Sequence, residues 1–222
     1  MVGNHGNTTL NFNLEYPKET LQLGRFGKNN LNLIPAKEPL HHNDLNLNQN
    51  IEISITTSFC NEVKENYPFV EIVLIPVAKS GTQFSGYWTK GQEGYSDLVF
   101  RTNYVLNNLE NAKLKGILWH QGESGFTELE IVNFINDLKY DFGEHFLFIS
   151  GGFVPYYIVN PNDLVEKQEI LQSLTKMYNV SFADSMNPPV QNINISNIHF
   201  TKTGLYNMGL RYAQEFINYQ NN

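Results

Sequence analysis

The sequence predicts an α/β fold, a three-layer sandwich in which helices cover both faces of a parallel sheet. Three observations carry that expectation. From residue 70 onward, short apolar runs alternate with segments whose apolar residues recur at helical spacing. The order strand, helix, strand, helix implies parallel crossovers. One of these strands runs straight into Trp119-His120-Gln121-Gly122-Glu123-Ser124. Ionisable and hydrogen-bonding groups therefore lie just beyond a carboxyl strand end, where open α/β sheets bind ligands.

The elements follow in order. The first 50 residues are rich in Asn, Gly and Pro with few periodic apolar positions, so they read as loop. Cys60 sits among apolar neighbours that suggest a helix. Residues 70–77 form a strand candidate, and residues 96–111 carry a helical stripe at Leu98, Val99, Val105, Leu106 and Leu109. Residues 116–119 are the next strand. Thr127 and Glu130 make a capping-box pattern before Ile131, Phe134, Ile135 and Leu138. Residues 146–150 follow as a strand, then Asp163 and Glu166 repeat the capping pattern ahead of Ile170, Leu171, Leu174 and Met177. Residues 180–184 are a last short strand. Thr201 caps a final helix with Leu205, Met208, Tyr212, Ala213 and Phe216 on one face.

At 222 residues a single domain over 1–222 is the natural count, since a chain of this length buries roughly 70–75% of its surface. A net charge of -7 and a pI near 5.3 argue against nucleic acid or an anionic membrane as partner, because both need a positive field. No apolar run reaches the ~20 residues of a membrane span. Cys60 is the single cysteine, which excludes an internal disulfide and a cysteine-rich zinc site, and it reads as an inert core thiol. The first residues show neither a basic nor an apolar signal region, and localisation stays open between cytoplasm and export.

Chemistry concentrates at two places. His199 lies on the loop before the last helix, and an imidazole there can take a hydroxyl proton and return it to a leaving group. Glu123 can hydrogen-bond the other ring nitrogen and stabilise the imidazolium. The amide of Gln121 and the backbone N–H of Gly81 are candidate oxyanion donors. Phe84, Tyr87, Trp88 and Tyr95 suit either a sugar-stacking wall or a lid packed on the core. His41-His42-Asn43-Asp44 with His5 and His120 lacks the helical spacing of a metal site, and no metal is expected.

These residues resemble the sialate O-acetylesterase and acetylxylan esterase group of the SGNH hydrolases. Ile75-Pro76-Val77-Ala78-Lys79-Ser80-Gly81-Thr82, with Trp88 after it, is similar to the second block of that group. Residues 119–124 resemble its His-Gln-Gly-Glu-Ser block, and His199-Phe200-Thr201-Lys202-Thr203-Gly204 its catalytic-histidine block. Ile34-Pro35-Ala36-Lys37-Glu38-Pro39-Leu40 is similar to a further segment.

The resemblance implies an SGNH/flavodoxin-like sheet and a carbohydrate O-acetylesterase acting on sialic acid, xylan or a related glycan. It implies His199 as base and then acid, Glu123 as its carboxylate partner, Gly81 and Gln121 at the oxyanion, and Trp88 and His120 against substrate. No cofactor is implied, and the partner is an acetylated carbohydrate. Alternatives are a glycan-binding protein on an esterase scaffold and an SGNH acetyltransferase. Three departures matter, the mildest being Ser80 in place of the first glycine of the second block. Ser196 stands where many relatives carry Asp, which leaves the acid role to Glu123. Met1-Val2-Gly3 resembles the first block only from its methionine onward, so the nucleophilic serine and the strand delivering it are expected upstream of Met1. Without that strand, residues 70–77 and 116–119 are expected to leave a gap or to pair directly.

Overall fold

The computed structural model describes residues 14–43, 53–155, 164–190 and 198–222. Its strands form two three-stranded sheets. In the first, β1 (Thr20–Leu23) lies between antiparallel β2 (Leu33–Pro35) and parallel β3 (Ile72–Leu74). The second is parallel throughout, with β5 (Leu147–Gly151) between β4 (Gly116–Trp119) and β6 (Val180–Ala183). The helices are α1 (Thr56–Asn66), α2 (Phe84–Tyr87), α3 (Glu93–Asn108), α4 (Glu128–Phe142), α5 (Val165–Ser173) and α6 (Lys202–Gln220).

All of β5 is buried, as a strand covered on both faces must be. Successive side chains alternate between faces. Leu147 and Ile149 pack with Phe59 and Cys60 of α1 and with Met208, Tyr212 and Phe216 of α6. Phe148 packs on the other side with Tyr95 and Leu98 of α3 and Phe134 and Leu138 of α4. Helices thus cover both faces, giving the three layers expected of the sequence.

Close contacts hold the helices in place. A methyl group built on Gly209 of α6 would lie 2.0 Å from Ser58 Oγ and 2.2 Å from Ile55 O, so only hydrogen lets α1 and α6 meet here. Ser58 then donates to Tyr206 O across the contact at 2.7 Å. The residue before α1, Ile55, offers no side-chain cap. Glu38 supplies a carboxylate instead, Oε1 accepting from Ser54 N–H at 2.9 Å, Ser54 Oγ at 2.7 Å and Thr57 Oγ1 at 2.9 Å. On the other face, buried Arg101 of α3 donates to the carbonyls of Leu23 and Gly24 at 3.1 and 2.6 Å, and Arg25 grips Asp97 of α3 through two bonds of 2.7 and 3.2 Å.

Two expectations are corrected. The first 50 residues include the β1–β2 hairpin rather than loop alone. Thr20 and Gln22 are polar yet buried, so the strand shows no apolar alternation. Gln22 is satisfied by tertiary bonds, accepting His41 N–H at 2.8 Å and donating to Lys37 O at 3.3 Å. The helix expected at 96–111 begins at Glu93 and ends at Asn108, with an acidic side chain in its first turn.

The capping patterns divide. Thr127 and Glu130 form the full capping box, and Thr201 Oγ1 accepts Gly204 N–H at 3.1 Å. α5 starts after Leu164 with no side-chain cap, and Asp163 lies outside the described residues.

Among the described residues, no ladder joins β3 to β4. Direct pairing, one of the two arrangements expected, is therefore not seen among the described residues. Among the described residues β1 pairs only with β2 and β3, and so it does not join β3 to β4. Ile72, Val73 and Leu74 of β3, and Gly116, Ile117 and Leu118 of β4, are only half-buried, in contrast to β5. Among the described residues no helix is long and apolar enough to cross a membrane. Hydrogen exchange is expected to rank the strands accordingly, with amides of β5 at least about tenfold better protected than those of β3 and β4. Equal protection of all three would show that the two edges are covered.

Candidate active site

Three loops at the carboxyl ends of the strands carry the expected site residues, and named contacts bring them together. Gln121, just past β4, donates from Nε2 to Thr82 O at 3.2 Å, which ties the β4 exit to the β3 exit. Thr82 is held from below as well, since Trp88 donates its indole N–H to Thr82 Oγ1 at 3.1 Å. The Trp88 ring meets Trp119 edge-on at 5.1 Å.

Gly81 adopts φ +64, and a methyl group built there would meet nothing within 4 Å. Left-handed backbone, not lack of room, is therefore what favours glycine at this position. Gly81 itself is exposed.

The loop before α6 joins through His120, whose ring lies edge-on to Phe200 at 5.6 Å, beside His199. On its other side, His120 Nδ1 is 3.0 Å from the Tyr212 hydroxyl, which itself donates to Trp119 O at 2.6 Å. A phenol has one proton. With that proton on the Trp119 carbonyl, His120 Nδ1 must be the donor in its own bond, and Nε2 carries the lone pair. Nε2 is buried with no hydrogen-bond partner among the described residues. Burial pushes the ring down to about 3, so His120 is neutral at ordinary pH.

Glu123 is half-buried and accepts Gly122 N–H at 3.1 Å. Burial raises the Tyr212 phenol well above its ordinary value, and the nearby Glu123 carboxylate raises it further. His199 is half-buried two residues before the Thr201 cap. Ser124 is exposed and the cap of α4 is Thr127, so Ser124 does not cap that helix. Ser196, His5 and Asp44 lie outside the described residues.

Of the two residues expected against substrate, His120 is half-buried and Trp88 is enclosed. Trp88 is 3% exposed, and Phe84, Tyr87 and Tyr95 are equally part of the core. Of the two readings of this aromatic row, packing on the core is the observed one, because each ring is enclosed by Trp119, Phe134 or a neighbour in the row. No group of three His, Cys, Asp or Glu that would hold a metal occurs among the described residues. The sequence reading missed the roles of Tyr212, Thr82 and Gly151. A methyl group on Gly151 would fall 2.0 Å from the Tyr212 hydroxyl and 2.5 Å from His120 Nδ1, so the pair exists only over glycine. The available signal was a tyrosine on an apolar helix face, whose hydroxyl needs a buried partner.

Parallel strands under two helical layers, with loops converging at the carboxyl ends, define an α/β sandwich of the SGNH/flavodoxin type. The profile of a carbohydrate esterase family, described as sialic acid-specific acetylesterase, matches residues 3–218, and the chain belongs to that family. No curated protein sequence matches it. Among solved structures, it is similar to a protein from Arabidopsis thaliana, at 23% identity and a TM-score of 0.75, covering 91% of this chain and 82% of that one. It is also similar to NanS, at 16% identity and a TM-score of 0.70, covering 91% of this chain and 88% of that one. At these identities the structures speak for the fold.

The neutral His120 ring, half-buried with its Nε2 inside, makes stability depend on acid. Its folded value, about 3, lies below its ordinary 6.5, so between those pH values the unfolded chain binds more protons. Full stability is present above pH 6.5 and falls as pH drops through that window, by up to about 1.4 kcal/mol per unit. Thermal melts of His120→Asn are expected to show a flatter decline between pH 6 and pH 4 than the parent; parallel curves would show that His120 is not the group responsible.

Proposed function

We propose that this protein is a carbohydrate O-acetylesterase, working by two-step acyl transfer on the acetyl esters of sialic acid or a related glycan. The observation that carries this reading is the convergence of three loops through Gln121 on Thr82 and His120 on Phe200. It sets the segments of both oxyanion candidates side by side, and it sets the Glu123 segment against the loop of His199.

In this reading His199 takes the proton of a serine hydroxyl as that oxygen attacks the ester carbonyl, and then returns it to the departing sugar oxygen. The same ring next activates water to release acetate. Glu123 orients the imidazole and stabilises its charged form. The Gly81 N–H and the remaining Gln121 amide proton receive the negative oxygen of the tetrahedral intermediate. The nucleophile is proposed to be the serine of a Gly-Gln-Ser-Asn segment ahead of Met1, and residues 1–222 by themselves are proposed not to turn over. No step needs a metal or an organic cofactor.

The test compares the 222-residue chain with one extended upstream through that segment, using O-acetylated sialic acid and acetylated xylan. Hydrolysis is expected from the extended chain, with sialate esters preferred. His199→Ala is expected to lower kcat about a thousandfold or more, and Glu123→Gln about a hundredfold or more. Gln121→Ala is expected to cost about a hundredfold in kcat with little change in KM, as loss of one oxyanion donor does. Glycan binding by the extended chain without any hydrolysis would replace this reading with that of a binding protein.

A further inference from the structure

Tyr212 lies on a helix remote in sequence from β4, and the proposed chemistry gives it no part. Its hydroxyl nevertheless occupies a crowded and specific place. It donates to Trp119 O at 2.6 Å and lies 3.0 Å from His120 Nδ1. Gly151 supplies the space that both groups use. The helix carrying Tyr212 is the one that begins just after His199, capped by Thr201. One hydroxyl thus binds the end of β4, where the Gln121 and Glu123 segment starts, to the element that follows His199.

The consequence for His120 comes from counting protons. The phenol gives its proton to a backbone carbonyl that has none to return. The only way His120 can bond to the same oxygen is as the Nδ1–H tautomer. Without the phenol oxygen, nothing in the described structure selects that tautomer, and Nε2 has no partner of its own.

The Glu123 carboxylate lies near enough to act on the Tyr212 hydroxyl, so the oxygen that bonds His120 also borders the proposed acid.

We propose that Tyr212 is a positioning residue of this site: its hydroxyl fixes His120 as the neutral Nδ1–H tautomer and locks the β4 exit, with Glu123, to the helix that follows His199. The structural half stands on contacts alone, and only its effect on turnover rests on the esterase reading.

The two halves are tested separately. Nitrogen-15 spectra of the 222-residue chain are expected to show His120 Nδ1 protonated and Nε2 unprotonated. Tyr212→Phe, which keeps the ring and removes only the hydroxyl, is expected to lose that preference while remaining folded. Gly151→Ala, which drives a methyl group into the hydroxyl, is expected to do the same. An Nε2–H tautomer in the parent chain would overturn the proposal even if neither variant folds, and so would an unchanged His120 spectrum in folded Tyr212→Phe.

In the extended chain, Tyr212→Phe is expected to lower kcat about tenfold with KM unchanged, the equivalent of one lost hydrogen bond. The acid limb of its kcat–pH profile is expected to move as well, which a loss of stability alone would not produce. Unchanged kcat and pH profile in an active extended chain would sink the positioning role. The predicted tautomer in a chain that hydrolyses no ester would instead count against the esterase reading.

Discussion

The contact between α1 and α6 is what keeps the two sheets in register. Within the described residues no hydrogen-bond ladder crosses from β3 to β4, so side-chain packing must unite the halves. Helix α1 leads into β3 of the first sheet, while α6 lies on β5 and β6 of the second. The bare Gly209 backbone lets the two helices touch, and the Ser58 to Tyr206 bond fixes their register. On the opposite face Arg101 does related work, binding α3 to carbonyls at the end of β1 while Tyr95 of α3 packs against Phe134 of α4. The site stands at the end of this seam. Its three loops come from β3, from β4 and from the segment entering α6, so their relative positions inherit whatever precision the helix contacts provide.

Much of the fold was legible because the strands after residue 70 are apolar on both faces. The run at 116–119 coincides with β4, and the apolar stripes at 128–142 and 202–220 mark helices whose threonine caps are where local chemistry places them. Legibility failed where identity comes from distant partners. β1 is a strand because Leu21 pairs with Pro35 and Val73, and because Gln22 finds bonds at Lys37 and His41. None of this leaves a local pattern. The row from Phe84 to Tyr95 had two equally good readings, since an aromatic ring suits a sugar and a core alike. Only enclosure by Trp119 and Phe134 decides between them.

The site divides in the same way. Gln121, Glu123 and His199 stand out by residue type and by their place on loops beyond the strands. Tyr212 does not stand out, because it satisfies the helical stripe as well as a leucine would. Its role comes from a bond spanning 93 positions of sequence. The positive φ of Gly81 is likewise visible only in three dimensions. Residue chemistry thus points to the groups that react, while the groups that hold them in place emerge only from three-dimensional contacts.

The chain has two tryptophans, Trp88 and Trp119, and they touch each other beneath the loops of the site. Both are buried, one bonded to Thr82 and the other ending the strand that leads to His120. The tryptophan emission of this protein, excited apart from its tyrosines, therefore comes from a single spot, the underside of its candidate catalytic loops. Fluorescence, usually an average over a whole molecule, here is a local optical gauge that requires no label.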